Sequence, residues 1–139
     1  MTEATGSHHS SLNTHLGIDP RWVGRVVELA DGSARALLET LPEMAADDRG
    51  LVHGGFVFGL ADLAAMAAVN HPNVVLGGSE SRFRRPVSVG QMLEAKAEVE
   101  EIDGRRFRVA VNVRREGEEE VVLSAQLTCF VLDAHVLDG

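Results

Sequence analysis

Hydrophobic and polar positions divide the chain into one long apolar stretch and several short alternating ones. The apolar stretch covers residues 51–70, and Asp62 is the only ionisable residue in its alanine-rich part, residues 56–70. Alanine, leucine and methionine favour helix, and Pro72 stops one. Because the apolar residues point in every direction around the axis, we expect a helix buried on nearly all sides.

Alternation before and after this helix predicts β-strands. Two strands precede the helix, joined by a hairpin turn at Asp31-Gly32, and a second hairpin turn lies at Asp103-Gly104. Within the stretch after the helix, Glu80 shares one side of its strand with Arg84, and Ser81 shares the other with Arg85. The predicted strands are residues 23–29, 33–40, 74–76, 79–85, 91–100, 106–114 and 120–131.

Antiparallel strands around a single buried helix predict an α+β domain. A curved sheet wrapped around the helix covers the helix and one face of the sheet at the same time. A sheet this small leaves an edge strand open, and such edges commonly pair with a second copy of the chain. We therefore expect a homo-oligomer.

The polarity of the first residues predicts where the folded domain begins. Residues 1–12 are polar and predict a disordered tail, which leaves residues 13–139 as a single domain. Residues 14–18 predict a short helical turn that Asp19 and Pro20 end.

Charge and composition argue against several classes of protein. The net charge of −8 and the pI of about 5.1 argue against a nucleic-acid-binding surface. We find no signal peptide and no membrane span, which needs about 20 apolar residues. The single Cys129 cannot form an internal disulfide, which suits a cytoplasmic protein, and we expect it in the core. No pattern predicts a metal site.

Asp62 is the first candidate for chemistry, because burying a carboxylate without partners is costly. It lies seven residues after Gly55, about two helical turns, so it shares a face with the start of the helix. Gly54 and Gly55 permit close approach to the backbone, and the free N–H groups there carry the positive end of the helix dipole. The stretch thus offers donors for an oxyanion and a carboxylate able to act as base or nucleophile. The alternative is a structural buried acid at the glycine-rich entry to a packed helix.

The sequence His53-Gly54-Gly55 followed by Leu60-Ala61-Asp62 resembles the hotdog-fold acyl-CoA thioesterases of the phenylacetate-degradation type. The resemblance extends over about residues 16–133. It implies the hotdog fold, thioester hydrolysis, and a dimer or a dimer-of-dimers tetramer whose sites are shared between subunits. It implies no cofactor beyond the coenzyme A of the substrate.

The resemblance also implies roles for single residues. The N–H groups of Gly54 and Gly55 would bind the carbonyl, and Asp62 of the facing subunit would activate water or attack directly. His53 would be a structural hydrogen-bonder that fixes the turn, with proton transfer as the alternative. Where the family has an asparagine near the carbonyl, this chain has Asp47, and an ionised carboxylate cannot donate a hydrogen bond.

Further substrate contacts are expected on the strand after the helix. Arg84 and Arg85 are candidates for the phosphates of coenzyme A, since guanidinium groups suit phosphate oxygens. The alternative is a charged strand end, with the arginines paired to Glu80 or another acid. Glu80 could instead be a second active-site carboxylate, and Ser81 a hydroxyl that positions water.

Two other functions remain open. An acyl-CoA hydratase or dehydratase usually carries a D-x-N-P-x-H type motif before the helix, and this chain has none. A non-catalytic acyl-CoA-binding domain would bind ligand without turnover, and Asp62 counts mildly against it.

Overall fold

The structure is a computed structural model that describes residues 11–139. Most of the predicted tail, residues 1–12, therefore lies outside the described residues. Of its last two residues, Leu12 packs against the core and the Ser11 carbonyl accepts a hydrogen bond from the Asn70 side chain.

The fold is one six-stranded antiparallel sheet curved around one long helix, so the predicted α+β hotdog fold is confirmed. The spatial order of the strands is β1-β2-β4-β5-β6-β3, and every neighbouring pair is antiparallel. The helices are α1 (Pro20–Val23) and α2 (Gly54–Val69), with 3-10 turns at Pro42–Met44 and Val136–Asp138. The strands are β1 (Arg25–Ala30), β2 (Ser33–Glu39), β3 (Val74–Phe83), β4 (Met92–Asp103), β5 (Arg106–Arg115) and β6 (Val121–Val131).

The short helix α1 corrects the prediction of a helical turn over residues 14–18. Asp19 caps α1, since its carboxylate accepts from the Arg21 N–H at 2.9 Å, and Pro20 occupies the first helical position. Proline suits that position, because its missing N–H would have no acceptor there. Asp19 and Pro20 thus begin a helix rather than end one.

Helix α2 fills the concave side of the sheet. Nine of its sixteen residues are buried, and from Leu60 to Ala68 only Asp62 is not. The first turns of α2 are more accessible to solvent than the sequence predicts. An accessible stripe along one side of the helix is formed by Gly55, Phe58, Gly59 and Asp62. The helix ends at Asn70, whose left-handed backbone has a φ of 54°.

Strand β3 joins two predicted strands into one. A bulge lies between Leu76 and Gly78, and a β-carbon at Gly77 would overlap the ring of Phe130, so any other residue there would require the Phe130 ring to move. Strand β3 pairs with β6 on one side and forms an edge of the sheet. Its side chains Leu76 and Phe83 are exposed apolar groups at that edge.

Candidate active site

Asp62 is the buried acid that the sequence predicts. Its Oδ1 atom is inaccessible and has no hydrogen-bond partner among residues 11–139. Burial raises the pKa of the Asp62 carboxyl above its ordinary value of 3.8, and the positive charge of His15 acts in the opposite direction. A carboxyl held in this way, on the accessible stripe of α2, can exchange a proton at moderate pH or attack an electrophile.

The start of α2 offers free backbone donors. Gly54 and Gly55 are its first two residues, and N–H groups in the first turn of a helix have no intrahelical acceptor. A β-carbon at Gly54 would lie 3.3 Å from the Phe83 ring, and one at Gly55 would lie 2.9 Å from the His53 ring. The two glycines therefore leave room that any other residue would fill.

His53 precedes the helix but does not fix the turn with its side chain, which corrects that prediction. The imidazole makes no capping hydrogen bond and packs edge-on against Phe56, with ring centroids 6.0 Å apart. The backbone fixes the turn instead, because the His53 N–H donates to the Met44 carbonyl at 2.9 Å.

Asp47 organises the loop that leads into α2. Its Oδ1 atom accepts from the backbone N–H of Arg49 at 3.0 Å and of Leu51 at 3.1 Å. A carboxylate accepts these bonds as well as an amide oxygen does, so this loop contact is compatible with Asp47 in place of the family's asparagine.

The pairing of β3 with β6 decides which of its side chains face α2. Ser81 lies opposite the buried Ala125, and the Ser79 and Ser81 hydroxyls are 2.6 Å apart on this side. Glu80 lies opposite Gln126 and points to the other face of the sheet. Within one chain, therefore, Glu80 is not a second carboxylate beside Asp62, and this hypothesis needs correction.

Arg84 and Arg85 follow β3 and lie near the start of α2. Together with Gly54 and Phe83 they line a surface cleft of about 340 Å³. Arg85 Nε donates to Glu120 Oε2 at 2.5 Å, and this bond holds the pKa of the Glu120 carboxyl below its usual range. Arg84 Nε donates to the Ser124 hydroxyl at 3.0 Å, and no carboxylate of residues 11–139 lies within ion-pair distance of it. The predicted pairing with an acid thus applies to Arg85, with Glu120 rather than Glu80.

Sequence reasoning missed His15. It lies in an irregular segment that carries no periodic signal, and only the folded structure shows that a charge there would lower the pKa of the Asp62 carboxyl against the effect of burial. The described residues contain no helix long and apolar enough to cross a membrane. Cys129 is buried in the core, where burial and the charge of Asp62 raise the pKa of its thiol to about 12.

Comparisons with solved structures agree with the fold. An uncharacterised protein, PH1136 from Pyrococcus horikoshii, is 50% identical and superposes with a TM-score of 0.90 over 93% of this chain and 98% of that one. An asparagine-to-aspartate variant of the phenylacetic acid degradation protein PaaI from Thermus thermophilus is 31% identical, with a TM-score of 0.71 over 79% of this chain and 95% of that one.

Curated relatives are longer proteins. A methylthioribose-1-phosphate isomerase from Aquifex aeolicus is 47% identical over 88% of this chain, which spans only 26% of that protein. The transcription factor FapR from Bacillus velezensis is 28% identical over 78% of this chain, which spans 58% of that protein.

The sequence profile of the thioesterase superfamily matches residues 49–122, which contain the whole of α2 and the strands that follow it as far as the start of β6. The chain therefore belongs to the thioesterase superfamily.

Proposed function

We propose that this protein hydrolyses acyl-CoA thioesters to free acid and coenzyme A. The observation that carries the proposal is Asp62 on the accessible stripe of the central helix of a thioesterase-superfamily fold, because one oxygen of its carboxyl is buried without a hydrogen-bond partner among the described residues. Burying a carboxyl oxygen without a hydrogen-bond partner costs folding free energy. A group that is kept at such a cost is typical of a catalytic site.

The site is shared between two subunits in this proposal. Gly55 and Asp62 are separated by seven residues, or about 10.5 Å along α2. A thioester carbonyl cannot lie within hydrogen-bond distance of the helix start and beside Asp62 of the same chain. Two copies joined at the edge strand β3 would place the helix start of one subunit opposite Asp62 of the other.

The reaction needs only groups that the chain supplies. Asp62 accepts a proton from water, the water oxygen attacks the thioester carbon, and the carbonyl electrons move onto an oxyanion held by the Gly54 and Gly55 N–H groups. The intermediate collapses, the C–S bond breaks, and the leaving thiolate takes the proton from Asp62. In the alternative route Asp62 attacks the carbon, the C–S bond breaks and coenzyme A leaves as the thiolate. Water then hydrolyses the resulting anhydride, which releases the acid, regenerates the Asp62 carboxylate and supplies the proton for the thiolate.

Two further groups have supporting roles. Arg84 lines the cleft beside Gly54, and no carboxylate of residues 11–139 pairs with its guanidinium, which makes it the better candidate of the two arginines for a coenzyme A phosphate. The Ser79–Ser81 hydroxyl pair lies on the side of β3 that faces α2, where it could position the attacking water.

A binding role without turnover is the second candidate function, and the likeness to a transcription factor favours it. The test is a screen of short, medium, long and aryl CoA thioesters in which released thiol is followed, with Asp62→Asn as the matched control. We expect turnover that depends on Asp62. Tight binding of a CoA ligand with no thiol release from any thioester would support the binding role and overturn the enzymatic one.

A further inference from the structure

Gly59 is a glycine in the interior of α2 that packing within the chain does not require. Glycine is among the least favourable residues in a helix interior, so a helix keeps one at a cost in stability. A β-carbon at Gly59 would lie 3.7 Å from Val23 Cγ1, which is an ordinary van der Waals contact. At Gly24, by contrast, a β-carbon would lie 2.5 Å from the Leu37 carbonyl oxygen, and the φ of 90° also favours glycine. Contacts within the chain thus explain Gly24 and leave Gly59 unexplained.

The space that Gly59 leaves adjoins Asp62. Successive residues of a helix are rotated by about 100°, so Phe58 and Gly59 lie one turn before Asp62 and on either side of it around the helix axis. All three residues are partly accessible to solvent. Met66, one turn after Asp62 on the same face, is only 1% exposed. The accessible surface beside Asp62 therefore continues towards Phe58 and Gly59 and not towards Met66.

The groups around this space are apolar. Its floor is the backbone of α2, whose peptide groups are hydrogen-bonded within the helix. Phe58 lies next to Gly59 on the helix, and Val23 of α1 supplies the side chain nearest to the position of the missing β-carbon. Ligand sites are mostly lined in this way, with a few polar groups at the point of recognition or reaction. The space suits a hydrocarbon group that ends beside Asp62.

We propose that Gly59 is a specificity-determining residue, because the first carbons of the substrate's acyl group lie against the α2 backbone there. This inference rests on the proposed function, in which the thioester carbon comes within about 3–3.5 Å of the atom that attacks it beside Asp62. The sulfur of the thioester leads away to coenzyme A and the cleft lined by Arg84. The acyl group therefore occupies the other side of the carbonyl, and the accessible surface of the helix that supplies Asp62 leads there over Gly59. Room so close to the carbonyl suits a hydrocarbon acyl group that is branched at the neighbouring carbon.

The test compares Gly59→Ala with the wild type and with Gly17→Ala. Gly17→Ala is the matched control, since Gly17 is exposed and a β-carbon there would have no atom of residues 11–139 within 4 Å, its chain neighbours apart. Gly59→Ala should have a melting temperature at or above that of the wild type, because alanine favours helix and the contact with Val23 is an ordinary one. A lower melting temperature would show that folding itself requires glycine at this position and would overturn the inference.

The first measurement is the hydrolysis of acetyl-CoA and of isobutyryl-CoA, which is branched next to the carbonyl. One methyl group more in a hydrophobic site changes selectivity by about 10–200-fold. We therefore expect Gly59→Ala to lower kcat/KM for isobutyryl-CoA relative to acetyl-CoA by about 10-fold or more, and Gly17→Ala to leave the ratio unchanged. An equal loss on both substrates would overturn the inference, since a general disturbance of Asp62 lowers both alike.

The second measurement separates this inference from the proposed function. Calorimetry gives Kd for the ketone analogues of the two thioesters, in which a methylene group replaces the sulfur. We expect Gly59→Ala to change the ratio of the two Kd values in the same direction as the ratio of kcat/KM. If the ratio of Kd changes and the wild type hydrolyses no thioester, the proposed function fails while the contact between Gly59 and the acyl group stands. A wild type that binds neither analogue would overturn both.

Light scattering tests the other occupant of the space, which is a side chain from a second copy of the chain. We expect Gly59→Ala to have the same oligomeric state as the wild type. Dissociation of the oligomer in Gly59→Ala, with an unchanged ratio of Kd, would assign the space to the second copy and overturn the inference.

Discussion

The ring of Phe83, the last residue of β3, lies against the backbone of Gly54, the first residue of α2. A β-carbon at Gly54 would come to 3.3 Å from the ring. This contact joins the edge strand to the helix start and forms one wall of the cleft that Arg84 and Arg85 also line.

Gly54→Ala tests whether the helix start binds an oxyanion. Phe83 is 57% exposed, so its ring can shift, and alanine is the better helix former by about 1 kcal/mol. We expect unfolding free energy within about 1 kcal/mol of the wild type. The new methyl group crowds the N–H donors, and kcat should fall by about 10-fold or more, since loss of one such donor costs about 10²–10³. Unchanged kcat in the folded variant would remove Gly54 from the site.

Asp62→Asn tests the base or nucleophile. The change keeps the size of the side chain and removes its ability to accept a proton. Since general base catalysis contributes about 10²–10⁴, kcat on the best thioester should fall at least 100-fold. Affinity for a non-hydrolysable CoA analogue should change little. Activity within a few-fold of the wild type would show that another group performs the chemistry.

The same substitution has an expected effect on stability. Burial raises the pKa of Asp62 in the folded state. Its contribution to stability is therefore fully present below the unfolded pKa and is lost as pH rises through the folded pKa, above which the buried charge opposes folding. Asp62→Asn should be more stable than the wild type in urea unfolding at pH 7. The advantage should shrink when the measurement is repeated near pH 4, and a constant difference would contradict the burial argument.

Arg84→Ala tests the phosphate contact. KM for a CoA thioester should rise several-fold, because charge-assisted bonds to phosphate are lost, whereas KM for a pantetheine thioester without the nucleotide should stay the same. Arg85→Ala should have the smaller effect, since Arg85 is paired with Glu120. Arg108→Ala, which breaks an exposed pair with Glu101, is the control. Equal effects on both substrates would mean that Arg84 is structural.

Mixing two variants of reduced activity tests the shared site. Light scattering at micromolar concentration should first show a dimer or tetramer. In a dimer of Gly54→Ala with Asp62→Asn, one site carries both changes and the other carries neither. Random exchange of subunits should therefore restore about a quarter of the wild-type activity. No recovery, despite subunit exchange seen by mass spectrometry, would place the whole site within one chain.

Local chemistry in the sequence determined the central helix, the strands and the family. The alanine-rich run and Pro72 specify α2, and the alternating residues with Asp-Gly turns specify the hairpins, because both signals act over a few neighbouring residues. The alternation of β3 was also predicted, with Glu80 and Ser81 on opposite sides. The motif formed by Gly54, Gly55 and Asp62 depends only on the spacing of these residues along one helix. The sequence alone therefore predicts that they share a face of that helix.

Only the tertiary structure decided which side of β3 faces the helix. The bulge at Gly77 changes the phase of the strand, and a shift of one residue exchanges its two faces, so pairing with β6 had to place Ser81 towards α2 and Glu80 away from it. The position of the segment before α1 likewise depends on the hydrogen bonds that Asn13 and Ser11 form with Asn70, a residue more than fifty positions away. Neither relationship is local, and for that reason neither could be read from the sequence.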